Sequence, residues 1–372
     1  MSNQQQPLPV PYLRLQNEFD ALRAEWMEMI GEAGQSGAFI LGPNVRMFEQ
    51  EVAAYLGCAH AVSVANGTDA IELSLRALGI GPGDKVITTP FTFFATAEAI
   101  SKVGATPVFA DIDPDSFTLD PSSVRNKIDT DVKAILPVHI FGHPADMDAL
   151  GSIASEHGLS IVEDGAQAFG AMHGGKQVGT QGYCGCFSFY PTKVLGCYGD
   201  GGLITTGSDA IRDHLIKLRN HGAQSPFMHD ELGYNSRLDE IQAALLRIKL
   251  RKIEQDIAAR IRVADQYDQG LADLRLVRPS RPANGRHAFN LYTIRHPRRD
   301  AMRAALKEAN IGHSQCYPLG LHLQSVYSQL GYRPGDLPVT DRLCGETLSL
   351  PIFPDMRKDE VERVCEVVRE LG

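Results

Sequence analysis

The chain has 372 residues, 43% hydrophobic and 22% charged, with 36 basic against 45 acidic side chains and a net charge of −9. That profile fits a globular protein of roughly two folding units, and the acidic excess disfavours nucleic acid or an anionic membrane as main partner. Seven cysteines, an odd number in a long chain, argue against a secreted disulfide framework.

Residues up to Pro11 read as a flexible or docking tail. The tail lacks the basic and apolar regions of a signal peptide, and no apolar run reaches membrane-spanning length, so a cytoplasmic protein is expected. Phe19, Leu22, Trp26, Met29 and Ile30 recur at helical spacing, which predicts an amphipathic helix. Gly37 and Gly42-Pro43 break it, and Pro43 suits the first turn of a second helix carrying Val45, Phe48, Val52 and Tyr55.

From Ala59 the pattern becomes strand, turn, helix, repeated. Strands are predicted over 62–65, 85–89, 107–111, 134–138 and 160–163, with helices over 69–78, to about Val103, and over 146–157. Such alternation implies an α/β domain with a mainly parallel sheet and helices on both faces. A strand over 203–206 and a helix over 208–220 close this large domain. Gly79-Ile-Gly-Pro-Gly83 loosely resembles a dinucleotide fingerprint, but it follows a helix and precedes a strand. That is the wrong order for a phosphate loop, and it reads as a turn. Residues 239–271 read as one long helix or two in tandem, their basic residues forming a solvated face. Beyond Pro279 strands (289–294, 348–352) alternate with helices (300–308, 358–371), suggesting a smaller α+β domain. The expected division is 1–240, the large domain, and 241–372, the linking helix with the smaller domain.

The most unusual stretch runs from Ser188 to Gly202, Ser-Phe-Tyr-Pro-Thr-Lys-Val-Leu-Gly-Cys-Tyr-Gly-Asp-Gly-Gly. A lysine alone is most often a solvated surface residue. Here Lys193 stands between a strand-like segment ended by Pro191 and glycines that permit close backbone approach and positive φ. A lysine desolvated in such a loop has a lowered pKa and becomes a nucleophile for carbonyls. Upstream, Asp164 follows the apolar run Ile161-Val162. It could be a helix cap. It could equally be the carboxylate that keeps a pyridinium nitrogen protonated in pyridoxal phosphate (PLP) chemistry, because open α/β sheets bind ligands at strand carboxyl ends. Gly67-Thr68 joins a strand to a helix, where backbone amides would face a phosphate. Cys184, Cys186 and Cys197 lack a second pair at zinc spacing, so they read as buried small hydrophobes and no metal is expected.

Together these motifs resemble the DegT/DnrJ-type nucleotide-sugar aminotransferases of PLP fold type I, from about Phe39 to the C-terminal helix. The resemblance implies a mixed, mainly parallel sheet of the seven-stranded type with a smaller C-terminal α+β domain. It implies PLP held covalently by Lys193, Asp164 on the ring nitrogen, Ser188 on the phosphate, Gln167 near the phenolic oxygen and Phe93 stacked on the ring. It further implies a homodimer with shared sites, in which Asn235 reaches the neighbouring subunit's phosphate and Arg237 follows towards the substrate. Tyr317 and His322 fall in a stretch that lies near the sugar-nucleotide pocket in this family. Gly165 departs from the family, where alanine is commoner, and is expected only to loosen packing. The implied reaction moves an amino group from a donor, usually L-glutamate, to a keto-sugar nucleotide. Asn235-Ser236-Arg237 with the glycine-rich exit favours 3-keto sugars, such as a UDP-linked 3-keto hexuronic acid or a dTDP-3-keto-6-deoxyhexose. The alternatives are a 4-keto sugar, a keto-cyclitol, or a non-catalytic sensor that retains the fold.

Overall fold

The structure, a computed structural model, describes residues 9–371. Helix α1 (Gln16–Ser36) ends where Gly37 takes a left-handed φ of 68° and donates to the Ala33 carbonyl, a terminus that glycine adopts without steric cost. Pro43 opens α2 (Pro43–Leu56), whose buried face is Val45, Phe48, Val52 and Leu56.

Strands and helices then alternate: β1 (His60–Val64), α3 (Gly67–Ala77), β2 (Lys85–Thr88), α4 (Ala95–Lys102), β3 (Thr106–Phe109), α5 (Pro121–Arg125), β4 (Val132–Leu136), α6 (Met147–His157) and β5 (Ser160–Asp164). A short hairpin, β6 (Met172–His173) and β7 (Lys176–Gln177), precedes β8 (Cys184–Ser188) and β9 (Gly202–Thr206). Helix α7 (Asp209–Leu218) leads to a second hairpin, β10 (Ala223–Ser225) with β11 (Met228–His229). The 239–271 stretch is two helices in tandem, α8 (Glu240–Leu250) and α9 (Ile253–Gly270). The chain continues through β12 (Gly285–Arg286), β13 (Tyr292–Arg295), α10 (Arg299–Glu308), α11 (Pro338–Glu346), β14 (Thr347–Leu350) and α12 (Lys358–Arg369).

The main sheet has seven strands in the order β1-β9-β8-β5-β4-β2-β3. Strands β3, β2, β4, β5 and β8 are parallel, and β9 runs antiparallel between β8 and β1. The carboxyl ends of β1 and β8 therefore point the same way, with the start of β9 between them. The smaller unit pairs β13 with β14 antiparallel. It packs around Tyr267, Tyr292, Phe353, Leu306 and Val364. Helix α9 serves both cores, with Ile253 and Ile257 in one and Val263, Ala264 and Tyr267 in the other.

Three sequence expectations change here. The end of the supposed tail is docked: Val10 donates to the Asn310 carbonyl at 3.1 Å and accepts from Gly312 N–H at 2.8 Å. Residues 1–8 of that tail lie outside the described residues. The basic residues of α8 and α9 are not a uniform solvated face. Arg247 grips Glu51, Lys249 is buried with its Nζ 2.6 Å from Glu18, and Arg260 is buried against backbone carbonyls. Nor does Gly165 loosen packing. A Cβ there would stand 2.9 Å from Cε1 of Phe187, so the ring already occupies the space an alanine would fill. Cys184 and Cys186 are buried as expected of small hydrophobes. Among the described residues no helix is long and apolar enough to cross a membrane.

Candidate active site

The carboxyl ends of the parallel strands open into a cleft of about 620 Å³. Gly67, Thr68 and Ser188 line one end of it, Asp164 and Lys193 its floor, and Phe93, Gln167 and Tyr317 its sides.

The first of these ends is built from backbone. Asn66 caps α3: its side chain accepts from Asp69 N–H at 2.8 Å and its carbonyl from Ala70 N–H at 3.1 Å. The amides of Gly67 and Thr68 belong to the first turn, which a helix leaves without internal partners. An anion is favoured at such a place by those amides and by the helix dipole. The sheet order explains the glycines. Gly202, at the start of β9, pairs with both Val64 of β1 and Ser188 of β8. The start of α3 must therefore cross over β9 to reach Ser188. A Cβ on Gly202 would lie 2.2 Å from the Asn66 carbonyl oxygen, and one on Gly67 would lie 2.7 Å from Cβ of Ser188. The glycines after Lys193 thus serve close approach. None of Gly196, Gly199, Gly201 and Gly202 takes a positive φ, contrary to one use expected of them.

Asp164 ends β5 and is buried. Its Oδ2 accepts from Thr96 Oγ1 at 2.8 Å and its Oδ1 from Ala166 N–H at 3.1 Å. Burial raises its pKa above the usual carboxylate range, partly opposed by those donors and by the Lys193 charge. Glu163, on the opposite face of the strand, accepts from His139 Nε2 at 3.0 Å and from the amides of Gly179, Gln181 and Gly182. Those bonds fix the end of β5 from beneath.

Lys193 sits on the β8–β9 connection. Its N–H donates to the Tyr190 carbonyl, Phe189 N–H to Gly201, and Cys197 N–H to Phe189. Lys249 Nζ holds the Gly196 carbonyl at 2.5 Å. Desolvation lowers the Lys193 pKa, opposed by the nearby Asp164 and Cys316. Both effects follow from placing a cation and an anion in one poorly hydrated floor.

The sides are aromatic and polar. Phe93 is 64% exposed, a large apolar ring left open to the cleft rather than spent on the core. Gln167 accepts from Phe141 N–H at 2.8 Å and donates to Tyr317 Oη at 2.7 Å. One of its two amide hydrogens remains free for another acceptor. Tyr317 stacks on Phe141 with centroids 6.0 Å apart.

Three expected residues do not line this cleft, two of which, Asn235 and Arg237, were expected at a neighbouring subunit's site. His322 is a correction: it is 1% exposed, 3.2 Å from Asp341 and packed against Tyr332 and Phe109, outside the cleft lining. The 3₁₀ turn after Gly320, with Leu321 N–H bonded to Pro90, carries it inward. Asn235 is exposed and bridges Asn220, and Arg237 donates to Asn220 Oδ1 at 3.0 Å. Neither lines its own chain's cleft. Sequence reasoning missed Thr96, Tyr12, Asn290, Ser314 and Cys316. A threonine one helical turn beyond Thr92 was the visible signal for the first, since Thr92 and Thr96 hydroxyls meet at 3.0 Å. The others carry no local signal.

Comparison with known proteins is decisive for ancestry. The profile of the DegT/DnrJ/EryC1/StrS aminotransferase family matches residues 20–369. The chain belongs to this family. As a member it is a PLP-dependent aminotransferase, and its cleft fits the cofactor: an anion seat, a buried carboxylate, an open aromatic ring and a desolvated lysine meet in one space. The chain is similar to a "pleiotropic regulatory protein" of Geobacillus stearothermophilus, 44% identical over 97% of this chain and 98% of that one. It is also similar to a UDP-N-acetyl-3-dehydro-alpha-D-glucosamine 3-aminotransferase of Acidithiobacillus ferrooxidans, 43% identical over 97% of each. Among solved structures, DesV of S. venezuelae superposes with a TM-score of 0.95 at 43% identity, covering 97% of this chain and 98% of that one.

Proposed function

We propose that this aminotransferase moves an amino group from an amino acid, L-glutamate, to the C3 ketone of a nucleotide-linked sugar. The observation that carries the reading is the pairing of Lys193, its amine pushed toward neutrality, with the buried Asp164 in one cleft. The 3-keto preference is supported by the named activity of the Acidithiobacillus relative.

PLP, when bound, supplies an electron sink for the bond-breaking steps. The chain's residues do the rest. Gly67 and Thr68 amides with Ser188 Oγ would seat the phosphate. Asp164, oriented by Thr96, holds the proton on the ring nitrogen. Phe93 would pack against the ring, and the free Gln167 hydrogen would serve the phenolic oxygen. Lys193 would carry the cofactor and, once the donor's amine has displaced it, would take the proton from the donor's α-carbon as a base and return it as an acid. Tyr317 lines the substrate side. Asn235, exposed, and Arg237, half-buried, lie away from their own cleft and complete the site of a second copy in a two-fold dimer.

The relative named as a regulatory protein favours a sensor reading. Retention of Lys193 and Asp164 in one cleft speaks against it for this chain. Mass spectrometry of products from 3-keto and 4-keto UDP-, dTDP- and GDP-sugars with L-glutamate tests the proposal. New amine only on 4-keto sugars would reject C3, and no amine on any sugar would reject the substrate class. The shared site has its own test, subunit exchange between inactive Lys193→Ala and Asn235→Asp. Activity should recover toward about a quarter of wild type, because random exchange makes half the dimers mixed and each mixed dimer keeps one intact site. Parents that stay inactive in confirmed mixed dimers would place Asn235 outside the shared site.

A further inference from the structure

One residue lining the cleft carries a buried acceptor without a partner among the described residues. Asn290 is 6% exposed and lines the cleft, yet its Oδ1 receives no hydrogen bond among the described residues. The backbone around it is pinned. Ala288 N–H bonds to Gly142 and Leu291 N–H to Phe141. The buried Arg260 donates to the carbonyls of Phe289 at 3.3 Å and Ile352 at 3.1 Å. The backbone flanking Asn290 is thus fixed, while its oxygen has no partner among the described residues. A buried polar group in that state is costly, and natural proteins retain few of them without a use.

Its surroundings narrow the use. Tyr12, Ser314 and Cys316 line the same cleft with neutral hydroxyl and thiol groups. Tyr12 Oη is itself close to Ser314 and Ser349 without hydrogen-bond geometry to either. Among the described residues the one cationic side chain lining this cleft is Lys193. The amino donor delivers its amine to Lys193's end of the site, and the groups it has left are carboxylates, which only accept. They cannot satisfy an acceptor. A sugar hydroxyl, or the N–H of an acylamino sugar, can.

We infer that Asn290 is a specificity-determining residue of the sugar subsite, its Oδ1 accepting from an O–H or N–H donor on the nucleotide-linked sugar. This rests on the substrate class proposed above. Sites built to hydrogen-bond a substrate group discriminate strongly against analogues that lack it, so Asn290 selects among sugars and leaves the choice of amino donor alone.

The test separates the two half-reactions of the holoenzyme, each followed by the absorbance of the bound cofactor. One arm uses L-glutamate. The others run the sugar half-reaction backwards with UDP-2-acetamido-3-amino-2,3-dideoxyglucose or dTDP-3-amino-3,6-dideoxygalactose. Asn290→Leu removes the acceptor at similar volume, and should raise the apparent Kd for the better amino-sugar nucleotide relative to that for glutamate by about five- to tenfold. Asn290→Asp keeps an acceptor and should restore most of that ratio. Loss of both half-reactions in parallel would mean a structural role and overturn the inference. So would an unchanged ratio, which means water satisfies the atom, or selective loss with glutamate, which means the amide serves a donor carboxylate. If wild type reacts with glutamate and with neither nucleotide, the proposed substrate class itself fails, and the inference falls with it. That outcome is distinguishable because it appears before any substitution is made.

Discussion

The end of the cleft proposed to seat the phosphate is made largely of backbone and the opposite wall of side chains. At the first, α3 amides, Ser188 and three closely passing segments leave room for glycine alone at Gly67 and Gly202. At the second, Tyr12, Asn290, and Ser314 with Tyr317 come from three separate parts of the chain, and Tyr12 Oη and Asn290 Oδ1 have no partner among the described residues. A seat of main-chain amides binds one ligand group and resists change. A wall of side chains can be re-lettered one residue at a time, which suits a family whose relatives carry different substrate names.

Substitutions at the boundary and on each side would break or sharpen this contrast. The largest effect is expected at Lys193, where the two sides meet. Lys193→Ala should lower turnover by at least ~10³-fold yet still retain cofactor through the phosphate seat. Borohydride reduction of wild type followed by peptide mass analysis should find the pyridoxyl group on Lys193, and its appearance on another lysine would sink the assignment. Asp164→Asn should cost about 10²–10³-fold in kcat, because an amide cannot balance a protonated ring nitrogen. Near-normal turnover would reduce Asp164 to a structural residue.

A direct comparison of the two sides comes next. Gly67→Ala forces a Cβ against Ser188, and should weaken cofactor binding about tenfold and destabilise the fold by about 1–3 kcal/mol. Tyr317→Phe removes only the hydroxyl that accepts from Gln167, and should leave cofactor affinity within about threefold while kcat/KM falls less than about tenfold. Equal losses of cofactor from both variants, measured by fluorescence titration, would erase the distinction.

The smallest effect concerns cofactor-free stability. Burial lowers the Lys193 pKa below 10.5, so the unfolded chain binds the extra proton and wild-type stability rises with pH through that interval. The burden on the fold is full below the folded pKa and gone above the unfolded one. Lys193→Met should therefore raise the melting temperature of cofactor-free protein near neutral pH, with the gain fading as pH approaches 10–11. A gain that grows with pH would contradict the sign.

That Lys193, Asp164, Ser188 and Gly67-Thr68 line one cleft was legible in the sequence, because each stands at or shortly after the carboxyl end of a strand and its neighbours along the chain create its setting. His322 was misplaced for the converse reason. The resemblance implied a whole stretch near the sugar-nucleotide pocket, but Tyr317 takes a φ of 59° and the turn that follows sends His322 into the core. Thr96, Tyr12 and Asn290 depend on contacts between distant segments, which no local pattern encodes. The buried Lys249 and Arg260 were hidden by the same limit, since charge in a helical sequence reads as solvent until the carbonyls that receive it are known.

The position of β9 between β1 and β8 has a consequence for biosynthesis. The residues proposed to seat the phosphate lie at Gly67-Thr68 and at Ser188, but the strand that spaces them spans Gly202–Thr206. A nascent chain released only as far as β8 has the helix, the serine and the aspartate without the gap that sets them apart. Domains form as their segments emerge from the ribosome, so the seat for the cofactor closes only after Thr206 has emerged. Asn290, Tyr317 and β14 come later still. Cofactor uptake is thereby tied to a nearly finished polypeptide, and a truncated product is left without a complete place to hold it.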